Sequence, residues 1–197
     1  QLADQLELER VGHPFYHSRA AGGEGHLEVA KNIYYHNQDL CHMVLSLKPF
    51  GCMPSTQSDG AQAAVVSQHP DMIYLPIETS GEGEINAHSR VQMALGEARI
   101  KARREFARAL RAGGYPLSQL RAYVAEHPEL QRPMYHVPHY KGYVGVAANF
   151  ALHLAERLRA EGIPPAGPVE SDPDTLATEG VPVEQGASTL ELQVSLT

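Results

Sequence analysis

"MVLSLKPFGCMPSTQSDGAQAAVVSQHPDMIYLPIE" occupies residues 43–78, and its reading decides the architecture. It opens on an apolar run, 43–50, that Pro49 and Gly51 interrupt, and closes on a second run, 72–78. Short apolar runs bounded by Pro and Gly predict buried strands. Between them, residues 58–69 have the length of a crossover helix and stop at Pro70. Strand, helix, strand is a parallel βαβ unit, and such crossovers are right-handed in nearly every case. The predicted fold class is α/β: a Rossmann-like parallel βαβ core with additional C-terminal helices and a disordered tail.

On either side the pattern is helical. Residues 24–41 carry Leu27, Ile33 and Leu40 and lead into the first strand, and residues 86–112 put Val91, Leu95, Ala98, Phe106 and Leu110 on one stripe. Shorter helices are predicted over 117–126 and 146–159. Residues 1–11 give an imperfect helical stripe, followed by a loop. Because the chain opens at Gln1 inside that stripe, it is expected to continue from a missing upstream region. Beyond Gly162 the Pro, Gly and acidic content rises and periodicity vanishes, which predicts disorder and a fold that survives deletion after about Glu161. The regions are therefore 1–23, an N-terminal helix and loop; 24–161, the α/β segment with its C-terminal helices; and 162–197, an acidic tail. Within the tail, residues 188–196 alternate Leu190, Leu192, Val194 and Leu196 as a strand does. Such a segment suits a sheet edge, here or on a partner.

The chain has 197 residues, 43% apolar and 20% charged, the composition of an ordinary globular protein. No run of 18 apolar residues exists and the N-terminus lacks a signal-peptide pattern, so no membrane span is expected and the expected compartment is the cytoplasm. Cys41 and Cys52 are the two cysteines, too few for a disulfide framework. Most of the net charge of -7 comes from Glu170, Asp172, Asp174, Glu179, Glu184 and Glu191, in a tail without Lys or Arg. The nearly neutral body excludes a nucleic-acid partner, which needs a basic face. The basic run "RIKARREFARALR", 99–111, reads as an amphipathic surface helix rather than an anion patch.

Ligands of parallel sheets bind at the C-terminal ends of the strands. Two loops leave such ends. In "KPFGCMPSTQSDG", Cys52 sits at the mouth and Ser55, Thr56 and Ser58 supply hydroxyls; in "ETSGEGEIN", Glu78, Glu82 and Glu84 supply carboxylates. A thiol at a helix N-terminus has its thiolate stabilised, which suits metal ligation or nucleophilic chemistry. Ligation ranks first because no sequence pattern identifies a histidine base. Cys41 is expected to be core. If the two loops share a crevice, ionised Glu78 raises the Cys52 pKa by like-charge repulsion. The histidine pairs His13/His17 and His136/His139, and Cys41 with His42, do not form a four-ligand zinc framework. The glycines of "SGEG" match no phosphate-binding pattern.

"SLKPFGCMPSTQSDGAQAAVV", "MIYLPIETSGEGEINAHSRVQM" and "RPMYHVPHYKGYVGVAANFALHLAE" together resemble the C-terminal part of acyl-CoA dehydratase activase-related proteins, relatives of the activators of 2-hydroxyacyl-CoA dehydratases such as the 2-hydroxyglutaryl-CoA enzyme. The likeness spans roughly residues 20–160, with PFGCMPS its most specific part. It implies an ATPase module upstream or in a separate subunit, an acyl-CoA dehydratase-type partner, and iron-sulfur clusters that carry electrons between them. It also implies that Cys52 is a ligand of such a cluster, a [4Fe-4S] centre, or lies beside it. Cys52, Ser55, Thr56 and Glu78 are then the candidate cofactor-binding residues and Cys52 the candidate metal ligand. The chain has no ATPase phosphate loop, so ATP is not expected to bind this segment, and two cysteines cannot supply four thiolates, so the remaining ligands are expected outside it. The alternative is a cluster-free scaffold that docks a partner through its crevice or its tail.

Overall fold

The computed structural model describes residues 3–20, 23–79 and 84–169. Two strands, β1 (Met43–Pro49) and β2 (Ile73–Thr79), pair in parallel from Met43↔Ile73 to Pro49↔Thr79 without a break in register. The described residues hold this two-stranded sheet and no larger one. Before it come α1 (Gln5–Gly12) and α2 (Gly25–Asn37), and between the strands runs α3 (Met53–Gln68). After it come α4 (Glu84–Gly113), α5 (Leu117–Glu126), a 3-10 turn (Pro128–Gln131) and α6 (Val146–Ala160).

The boundaries that moved are those around Cys52. The crossover helix starts at Met53, not near Ser58, because Pro54 falls in its first turn, where a residue without an N–H wastes no hydrogen bond. Ser55, Thr56 and Ser58 are therefore helical rather than loop residues. The remaining link is a tight turn: the Cys52 N–H reaches the Pro49 carbonyl at 3.2 Å, and Gly51 takes φ 74°, which a residue with a Cβ adopts only at a cost. Likewise α2 stops at Asn37 rather than Cys41. Asp39 turns to φ 52° and its carboxylate accepts the Gly142 N–H at 3.0 Å, so a distant loop fixes the end of the helix.

Two cores follow. Val29 and Ile33 of α2 meet Val65 of α3 and Met72 beneath one face of the sheet. Leu110, Leu120, Leu154 and Leu158 form the other, between α4, α5 and α6. At about 45 Å, α4 is long enough to belong to both: its first half packs on β2 and its second on α6. Buried Glu105 joins them, accepting the Val144 N–H at 3.0 Å and the Gly145 N–H at 2.6 Å at the start of α6.

The tail is expected from residue 162, and its first described residues, exposed except for half-buried Val169, contact the helices: Tyr115 donates to the Ile163 carbonyl at 2.8 Å, Gln119 bonds Pro164 and Ala166, and Val169 rests on the helical core. A deletion after Glu161 would remove these contacts. The rest of the tail, including 188–196, lies outside the described residues, as does the whole of SGEG, residues 80–83, with Glu82. No helix among the described residues is long and apolar enough to cross a membrane.

Candidate functional site

Cys52 is the N-cap of α3, with extended backbone at φ -69° and ψ 104°. A residue there normally places a side-chain oxygen over the open amides of the first turn. The Cys52 side chain makes no such capping bond. The Ser55 hydroxyl donates to Cys52 Sγ at 3.3 Å, and this bond, reinforced by the Ser55 backbone amide, holds the thiol pKa below its ordinary value. Lys48 adds to the depression, whereas a little desolvation and Glu28 oppose it. Cys41 is the opposite case: burial pushes its thiol up.

The thiol opens on a groove of about 560 Å³ between α2, the outer edge of β1 and the N-terminus of α3. Gly23 closes one end; a Cβ there would lie 2.5 Å from Pro54 Cγ. The floor is a polar cluster. Glu28 accepts hydrogen bonds from Ser46, from Ser58 at 2.8 Å and from Tyr74 at 3.1 Å. Lys48, 2% exposed, pairs with Asp59, lies 4.0 Å from Glu28 and reaches the Ser55 carbonyl at 3.4 Å. A buried ammonium needs such compensation, since desolvating it alone costs several kcal/mol. Tyr74, between the two carboxylates, has its phenol pushed well above the usual range, by burial first.

Of the sequence-predicted residues, Cys52 and Ser55 are brought together in the groove. Thr56 is beside them, but its hydroxyl donates to the Cys52 carbonyl at 3.0 Å and is thereby occupied. Glu78 takes a different position. It is exposed, in register with Lys48, and does not line the groove. The strands are neighbours as expected, and Glu28 and Lys48 are two charges near enough to bias the thiol. Sequence reasoning missed both. The available signal was Ser46 and Lys48 at i and i+2 in an otherwise apolar strand, which puts two polar groups on one face and calls for a partner there.

Among the described residues no group of three or more His, Cys, Asp and Glu is placed to hold a metal ion. Nor does a histidine line the groove. The His13 and His17 rings lie 4.4 Å apart, tilted by 51°, with His13 bonded to Ser18, and His42 lies 3.3 Å from Glu105. Two cations of the basic run have structural partners: Lys101 bonds the Asp71 carbonyl at 2.9 Å, and Arg108 bonds Gly142 and covers the Tyr143 ring at 4.6 Å. Comparison with protein families, with curated proteins and with solved structures found no match to this chain.

Proposed function

We propose that this chain is the non-ATPase segment of an iron-sulfur electron-transfer or activase protein of the acyl-CoA dehydratase type, and that Cys52 contributes one thiolate to a cluster completed by residues outside the chain. The observation that carries the reading is the placement of Cys52: a thiol biased toward thiolate by Ser55, on the rim of an open groove at the C-terminal end of a parallel strand. The donor set fits one corner of a cluster and does not fit a whole one, because the described residues supply one thiol at this place. When bound, such a cluster would supply one-electron chemistry. What the chain's own residues do is hold and bias the thiolate: Ser55 through its hydroxyl and amide, and the Lys48 cluster by fixing the strand end beneath it.

In this reading the ATPase module and the dehydratase-type partner are separate from the segment, the two-stranded sheet is part of a larger Rossmann-like sheet, and the protein works in the cytoplasm. The test is anaerobic isolation of the chain together with the polypeptides that co-purify with it, with and without Cys52→Ser. Loss of iron and of visible cluster absorption in the variant, with co-purification intact, is the expected result; unchanged iron and absorption would remove Cys52 from the ligand set. The second reading is a cluster-free docking module, for which the open groove beside β1 would be the docking surface.

A further inference from the structure

We propose that the outer edge of β1 receives a third strand and that its occupant is the segment 188–196 of this same chain. The inference concerns the edge alone and stands whatever Cys52 binds.

Successive residues of a strand turn their backbone N–H and C=O to opposite edges. Pro76, in register with Ser46, has no N–H to give the Leu45 carbonyl, and the Lys48 carbonyl accepts from the Thr79 side-chain hydroxyl at 3.1 Å, so Ser46 and Lys48 turn their backbone amides and carbonyls toward β2. Leu45 and Leu47 then turn their amides and carbonyls outward, where the described residues hold no strand. Natural sheets protect such edges with outward Lys, mid-strand Pro or bulges. Here Pro49 is the last residue of β1, the register has no bulge, and the Lys48 side chain is buried in the polar cluster.

The edge has two unlike flanks. On one face, Leu47 is 64% exposed and Leu45 40%. On the other is the groove, whose lining includes Lys31, Asn32 and Ser46 as well as the edge at Leu45 and Leu47, and the buried Asn32 Oδ1 has no hydrogen-bond partner among the described residues. Residues 188–196 carry the same two rows: Leu190, Leu192, Val194 and Leu196 on one side, and Thr189, Glu191, Gln193 and Ser195 on the other. Laid along β1, the leucine row extends Leu45 and Leu47, while the polar row brings Glu191 to the side of Lys31 and donors to the side of Asn32. The reach is ample. Residues 170–187, 18 in number, span up to about 60 Å extended, more than the diameter of about 40 Å expected for a domain of this size. A tethered strand also has an effective concentration in the millimolar range, which favours it over a second copy.

Amide hydrogen exchange of the full 197-residue chain tests this. The Leu45 and Leu47 amides should exchange about tenfold or more slower in the native chain than in Leu192→Pro, while α6 amides stay unchanged. A double variant, Leu190→Asn with Leu192→Asn, should lose the same protection without a proline. Equal exchange at Leu45 and Leu47 in the native chain and both variants overturns the proposal. So does protection that rises with protein concentration and survives the variants, which would assign the edge to a second copy.

Discussion

Around α2, α3 and the strands, the interior holds Lys48, Gln62, Asn32 and Ser58 beside Val29 and Val65; between α4, α5 and α6 it holds Leu110, Leu154, Leu158 and two tyrosines. The tyrosines keep to the rule for polar atoms at a core boundary, since Tyr115 donates to Ile163 and Tyr123 to Glu161. The strand half departs from it. There a lysine and two carboxylates lie under the sheet and are held by directional contacts rather than by area. Apolar packing tolerates repacking as long as volume is kept, whereas a polar cluster tolerates little, because each lost partner leaves another group unpaired. The helical half thus reads as support, and the strand half as the part whose geometry is specified. The candidate thiol sits on the specified part.

The comparison can be broken most forcefully from the apolar side. Leu154→Ala, at 3% exposure, should cost about 3 kcal/mol in urea unfolding, through lost transfer energy and the cavity left behind. Because α4 runs through both halves, a single transition is expected. Two separated transitions would mean that the halves are independent units. Next in size is Lys48→Met, which strips the cation from Glu28 and Asp59. These carboxylates are partly exposed, so the cost should be about 2 kcal/mol rather than the full penalty of a broken buried pair. Adding Asp59→Asn should recover part of it. If instead the double variant is weaker than the single by the full cost of a second site, the cluster is a set of independent contacts.

The smallest effect falls on the thiol itself. Alkylation of Cys52 proceeds through the thiolate, so its rate rises with pH and levels off above the thiol pKa, which here lies below the ordinary value. Ser55→Ala removes the hydroxyl that favours the anion. It should shift the rate profile to higher pH and slow the reaction near neutrality about two- to fivefold. Glu78→Gln should leave the profile in place, since Glu78 is outside the groove. Measured in a Cys41→Ser background, acceleration by Glu78→Gln would instead mean that the carboxylate does act on the thiol.

The parallel strand pair, the crossover helix, the apolar stripe of α4 and the existence of α6 were legible because each is written in local periodicity or punctuated by Pro or Gly. The start of α3 was misread by several residues. Pro54 looks like a breaker in a linear reading and becomes a first-turn residue once Cys52 caps the helix. Within the site, Cys52 and Ser55 were visible as neighbours in one short stretch. The Glu28 cluster was not, because its members come from α2, β1, α3 and β2 and share no local pattern.

By itself, then, the sequence determined which segments are helix or strand, where the thiol lies relative to the end of β1, and which part of the chain carries the acidic excess. These are consequences of backbone sterics, side-chain periodicity and charge, all of them local. Only the tertiary structure decided that Glu28 and Lys48 lie near enough to Cys52 to bias its thiol, that Glu78 is not among the residues lining the groove, that Asp39 ends α2 through Gly142, and that Ile163 and Val169 contact the helical core. Each of these depends on elements far apart in the chain meeting in space. Their energies come from burial and from partners that no local window contains.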